Sequence, residues 1–139
     1  MASDPSMARI AHEFLVRSAQ FRYSYNFSWL GRPIIQYPTD IVAMQEIIWT
    51  VRPRVIVETG IAHGGSLIFY ASMLQLLGEG FVIGIDIDIR AHNRAAIEAH
   101  PMSKRITMIQ GSSIAPEVVA RVKAEAAGKS RVLVSPSIR

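Results

Sequence analysis

Residues 55–66 read Val-Ile-Val-Glu-Thr-Gly-Ile-Ala-His-Gly-Gly-Ser, and this run constrains the fold more than any other part of the chain. A short apolar, largely β-branched run ends in a carboxylate. A glycine follows two positions later, and a glycine pair then opens an apolar segment of helical length. That pattern predicts a buried strand, a tight turn and a helix N-terminus suited to a small-molecule ligand.

The rest of the chain repeats the alternation. Strands are expected at Arg54–Glu58, Phe81–Asp86, Arg105–Gln110 and Arg131–Val134. Helices are expected at Gly65–Leu77, near Ala91–Ala99 and near Ala115–Ala127. Continuous Val/Ile strands alternating with helices point to a parallel sheet covered on both faces, a doubly wound α/β domain. Upstream, Met7, Ile10, Phe14 and Leu15 stand at helical spacing and predict an amphipathic N-terminal helix. The aromatic, Gly- and Pro-rich stretch 21–38 reads as irregular. Thr39 is a plausible N-cap for a helix carrying Ile41, Met44, Ile47, Ile48 and Val51, which Arg52-Pro53 stops. The expected division is therefore an N-terminal helical and irregular extension over 1–53 and a Rossmann-like domain over 54–139.

Composition excludes several classes. The 139 residues are 50% apolar and 19% charged, enough for a core in one domain. There is no cysteine, so disulfides, thiolate catalysis and Cys-based metal sites are ruled out. No apolar run is long enough for a membrane span, and an acid stands at position 4 where a signal peptide carries basic residues. A cytoplasmic location is the expectation. The net charge of +4 is spread along the chain without a basic cluster, which argues against nucleic-acid binding.

Ligands of such sheets sit beyond the carboxyl ends of the strands. Glu58 and Gly60 stand after the first strand, with His63, Gly64, Gly65 and Ser66 in the following loop and helix start. Amides at that helix end suit a carboxylate or phosphate, whereas the bland alternative is a turn kept small for strand–helix packing. Asp86 ends the second strand, where an acid can accept bonds from ribose hydroxyls; Asp88 can serve equally as a helix cap. Gln110-Gly111-Ser112-Ser113 ends the third, where small polar residues can line an adenine pocket or Ser113 can cap the next helix. The loop has the form E-x-G-x-x-x-G-G rather than the dinucleotide G-x-G-x-x-G. A carboxylate there repels a pyrophosphate but can receive an ammonium, which favours S-adenosylmethionine over a nicotinamide dinucleotide. His12, His63, His92 and His100 show no metal-ligand spacing, and Trp29 and Trp49 read as packing residues, with Trp29 also a candidate for a lid.

The segments Asn26–Pro38, Glu58–Ser66, Gly84–Arg90 and Gly111–Glu117 together resemble the cephalosporin hydroxylase family, which includes rhamnosyl O-methyltransferases. The resemblance implies a class I methyltransferase fold that binds S-adenosylmethionine and methylates a hydroxyl of a sugar or secondary metabolite. It implies that Glu58 and Gly60 hold the methionine end, Asp86 the ribose and Ser112 the adenine side, with Gly64, Gly65 and Ser66 shaping the loop. Family members continue past the last strand into an acid-rich D-S-x-H type segment and further acids for a divalent metal such as Mg²⁺. Here Ser135-Pro136-Ser137-Ile138-Arg139 stands instead, with no catalytic base or metal ligand to name. The resemblance thus implies the cofactor half of a longer enzyme, shortened or frame-shifted near its end. About four of seven strands are expected, with weak or no cofactor binding and no activity alone. The last strand is expected to be an apolar edge that invites self-association, so a homo-oligomer is a possible state. The rival expectations are a non-catalytic cofactor-binding or oligomerisation module and, on weaker grounds, a nicotinamide-dependent oxidoreductase.

Overall fold

A computed structural model describes residues 4–136. Residues 1–3 and 137–139, on which the readings of the N-terminus and of the last three residues rest, lie outside these.

The central feature is a four-stranded parallel sheet built from β3 (Val55–Thr59), β4 (Phe81–Asp86), β5 (Ile106–Gln110) and β6 (Val132–Pro136), in the order β5-β4-β3-β6. This is the mixed α/β architecture expected. The chain steps outward from β3 through β4 to β5, then returns to lay β6 on the other side of β3. That reversal opens a crevice at the carboxyl ends of β3 and β6, where Glu58 is the register partner of Ser135.

Strand alternation divides the interior into two layers. Ile56 and Val82 face the core beneath α3 (Gly65–Leu77), while Val55, Val57, Ile83 and Ile85 face Val118 of α5 (Pro116–Glu125). Helix α3 is apolar around most of its circumference because it lies between the sheet and the N-terminal elements. Leu67, Ile68, Phe69, Tyr70, Ala71 and Leu74 are all fully buried in it. Gly84 in β4 makes room for this: a Cβ there would lie 2.8 Å from Leu67 and 3.1 Å from Ile61.

Four sequence expectations need correction. The stretch read as irregular contains a short antiparallel hairpin, β1 (Phe27–Trp29) and β2 (Arg32–Ile34), which packs on α3. Three-residue strands without a clear period-2 pattern leave little trace in a sequence. Trp29 is a packing residue in this hairpin, edge-on to Phe69 with centroids 4.8 Å apart and its indole N–H donated to Ser72. The predicted caps also differ. Helix α2 (Pro38–Val51) begins with Pro38 after Tyr37, so Thr39 lies inside it. Arg90 and Ala115, not Asp88 and Ser113, occupy the N-cap positions of α4 (Ala91–Glu98) and α5.

Helix α1 (Pro5–Gln20) forms as expected, capped by Asp4, whose carboxylate accepts from the Ser6 amide at 2.9 Å. Its apolar stripe is not buried within the chain: Ile10, Phe14 and Leu15 are each about half exposed. Edge strand β6 likewise leaves Val132 and Val134 exposed.

Candidate functional site

Glu58 occupies the last buried position of β3 and is 3% exposed. Its Oε2 accepts a 2.6 Å hydrogen bond from Ser66 Oγ in the first turn of α3. Burial pushes its carboxyl up to about 8, partly offset by the Ser66 hydroxyl. A carboxyl that loses its water without gaining a cation holds its proton near neutrality. One step along α3, the Tyr70 hydroxyl contacts Ser135 Oγ at 3.0 Å. Burial first, and the nearby charge of Glu58 second, raise it to about 12.

Glu58, Ser66 and Ser135 border a cavity of about 760 Å³ at the β3–β6 crevice. Glu58, Gly60, His63, Gly65 and Ser66 form one part of its lining; Tyr25, Gln36, Tyr37 and Asp40, from the hairpin region and α2, form another. Among the described residues, no lysine or arginine lines it.

Asp86 borders a second cavity of about 300 Å³, shared with Gly111, Ser112 and Ser113. Gly60 lines both cavities, so the two expected halves of the site meet at one residue. The Asp86 carboxylate also has a duty that the sequence does not reveal. Its Oδ2 accepts from the Ile61 amide at 2.7 Å and from the Ala62 amide at 3.4 Å, and its Oδ1 from the Asp88 amide at 3.3 Å. The acid of β4 therefore anchors the glycine loop from its amide side.

The carbonyl side of the same loop is held from two other elements. Arg32 of β2 donates to His63 O from Nε at 3.1 Å and from Nη2 at 2.6 Å. Nη2 also reaches Asn93 Oδ1 at 3.0 Å, and Asn93 Nδ2 donates to Ala62 O at 3.1 Å. Between these anchors Ala62 adopts φ +48°, a left-handed conformation that a β-carbon disfavours. Such strain persists only where the surroundings over-determine it.

The glycines divide between two roles. Gly64 takes φ +83° and sits where any Cβ would run into the Ile97 side chain. Gly65 lies directly against the Pro33 carbonyl, so its lack of a side chain lets the hairpin pack on α3. The packing explanation holds for Gly65, which still lines the cavity. The α3 N-terminus has no side-chain cap, because its N-cap residue is Gly64, and the Ser66 hydroxyl is turned to Glu58.

Sequence reasoning missed Arg32, Gln36, Tyr70, Asn93 and Ser135. Arg32 and Gln36 lay in the Asn26–Pro38 segment that carried the family resemblance. Asn93 could have been flagged as a polar residue on the buried side of a short helix. Among the described residues, no group of three His, Asp or Glu side chains is placed to hold a metal ion, and no helix is long and apolar enough to cross a membrane.

Comparison with known proteins gives a concordant picture. A family model described as Rhamnosyl O-methyltransferase/CmcI matches residues 21–136. A rhamnosyl O-methyltransferase of Mycobacterium leprae (strain TN) is 30% identical over 106 residues, covering 73% of this chain and 44% of that protein. Among solved structures, CmcI with SAH superposes with a TM-score of 0.59 at 23% identity, covering 81% of this chain and 53% of that one. CmcI with Mg and SAM gives a TM-score of 0.63 at 23% identity, covering 83% and 47%. These likenesses show the shared fold. The chain spans about half the length of the relatives it matches or less.

Proposed function

This chain belongs to the Rhamnosyl O-methyltransferase/CmcI family, and from that premise we propose that its crevice holds S-adenosylmethionine and serves O-methylation of a small-molecule or saccharide hydroxyl. The observation that carries this reading is a buried carboxyl, Glu58, lining a cavity with no lysine or arginine among the described residues. Among those residues such a group has no positive partner, and the α-ammonium of the cofactor's amino-acid end supplies one. Gly60 gives close backbone approach. Gly64, Gly65, Ser66 and His63 shape the loop, Asp86 takes the ribose side and Ser112 the adenine side. When bound, S-adenosylmethionine contributes an electrophilic sulfonium methyl. The residues around it exclude water and fix its orientation, the main demand of an in-line displacement.

Both cavities are formed within this chain, which supports binding, and the expectation of weak or absent binding by this chain alone is the opposing outcome of the titration below. Mg²⁺ and a catalytic base have no assigned residues here. Domain boundaries at 53/54 remain part of the proposal, with the hairpin of the first segment reaching into the loop of the second through Arg32. A cytoplasmic location belongs to the same reading.

A second reading, a non-catalytic cofactor-binding or association module, is favoured by the exposed apolar residues of α1 and β6. Calorimetric titration with S-adenosylhomocysteine, with NAD as counter-ligand, tests the cofactor. Micromolar binding of the former, weakened tenfold or more by Glu58→Gln, is expected. Preference for NAD overturns it. Methyl transfer to rhamnose-containing acceptors by the same preparation separates enzyme from module.

A further inference from the structure

Gln36 and Tyr70 play no part in the reading above. Gln36 lies two residues beyond β2 and borders the same cavity as Glu58. Its Oε1 is buried and has no hydrogen-bond partner. Buried polar atoms are nearly always paired, so an orphaned acceptor in a cavity wall marks a place where a ligand donor belongs.

The neighbourhood specifies the donor. The Gln36 side chain lies near enough to the Tyr70 hydroxyl to favour its ionisation, and that hydroxyl contacts Ser135 Oγ at 3.0 Å and feels the charge of Glu58. Glu58 has one oxygen occupied by Ser66, and its Oε1 has no bond from Ser66. Once a bound cation draws the proton from Glu58, the cavity presents a carboxylate and an amide oxygen, both acceptors, with no lysine or arginine in its lining among the described residues. A group with several N–H donors on one atom satisfies both; an ammonium has three.

We infer that Gln36 Oε1 is a second acceptor for the α-ammonium of the bound nucleoside's amino-acid end, acting with Glu58. This rests on the cofactor reading and adds to it a specificity-determining residue outside the glycine loop.

The test compares two ligands: S-adenosylhomocysteine and the analogue in which its α-amino group is replaced by hydrogen. Each is titrated calorimetrically into the wild-type chain and Gln36→Leu. The variant is expected to lose tenfold or more in affinity for S-adenosylhomocysteine and less than twofold for the analogue. Its ligand-free Tm should hold or rise, since an unpaired buried oxygen has been removed. Equal losses for both ligands, or no loss for either, overturn the assignment while leaving the cofactor reading intact. Failure of the wild type to bind S-adenosylhomocysteine is a different result and removes both. Gln36→Met, closer in length, is judged by the same ratio if the leucine variant folds poorly.

Discussion

Ser66 Oγ donates to Glu58 Oε2 at 2.6 Å, so the acid that closes β3 is tied to the first turn of the helix that follows it. The bond spans the whole glycine loop. It fixes the distance between strand end and helix start, and gives a buried carboxyl a polar contact within the chain.

That carboxyl makes stability depend on pH in a definite direction. Below about pH 4.5 the folded and unfolded chains both keep the proton. Between 4.5 and about 8 the unfolded chain releases a proton that the folded chain retains. Stability therefore falls as pH rises through this window, by on the order of a few kcal/mol. Glu58→Gln should flatten the dependence. Thermal melts of both proteins from pH 5 to pH 8 check it, and parallel slopes would refute the buried acid as the cause.

The clamp on the loop predicts a rescue. Asn93→Ala leaves the Ala62 carbonyl and an Arg32 donor without their partner, at a cost of about 1–3 kcal/mol, and frees Ala62 from φ +48°. Weaker binding of S-adenosylhomocysteine should accompany the loss. Adding Ala62→Gly removes the penalty for left-handed backbone, roughly 1 kcal/mol, and should recover part of the affinity. Isothermal titration of the single and double variants decides the matter. A double variant that binds more weakly than Asn93→Ala speaks against the clamp.

Gly65 and Gly128 offer a contrast in what a methyl group costs. At Gly65 it meets the Pro33 carbonyl of the hairpin backbone, which cannot swing aside. At Gly128 it meets nothing within 4 Å and costs only the strain of φ +71°. Gly65→Ala should destabilise by about 2–4 kcal/mol and Gly128→Ala by about 1 kcal/mol, measured by urea denaturation. Comparable losses at the two positions would remove the argument for close packing at Gly65.

Edge strand β6 exposes Val132 and Val134 on one face, with its outer backbone unpaired among the described residues. Such edges template association. Sedimentation velocity should show concentration-dependent association that Val134→Lys reduces, because a lysine on the strand cannot be buried at low cost in a second copy. Identical sedimentation of the two proteins would assign any association to another surface, α1 foremost.

The sheet was legible because its central strands, β3 and β4, are buried on both faces and carry near-continuous Val/Ile runs. Glu58, Gly60 and the loop were legible for a related reason: an acid at the end of such a run has no packing role. What escaped were interactions between segments far apart in sequence. Arg32 meets His63 and Asn93 across intervals of 31 and 61 residues, and no local pattern encodes that meeting. Asp86 was recognised as a strand-end acid, but its bonds to the Ile61 and Ala62 amides depend on how β3 and β4 lie side by side. The hairpin was hidden by its brevity, and the α2 cap because Pro38 at the first helical position takes the place of a capping side chain.

Gly84 stands directly across the sheet from Glu58 as its register partner, and the space it leaves is filled by Leu67 and Ile61, which flank the loop on either side. The height of the ligand platform is thus set from below, by an atom that is missing. A lineage that gained even alanine at this position would lift both ends of the platform together, altering what the crevice accepts without changing a single residue that faces it.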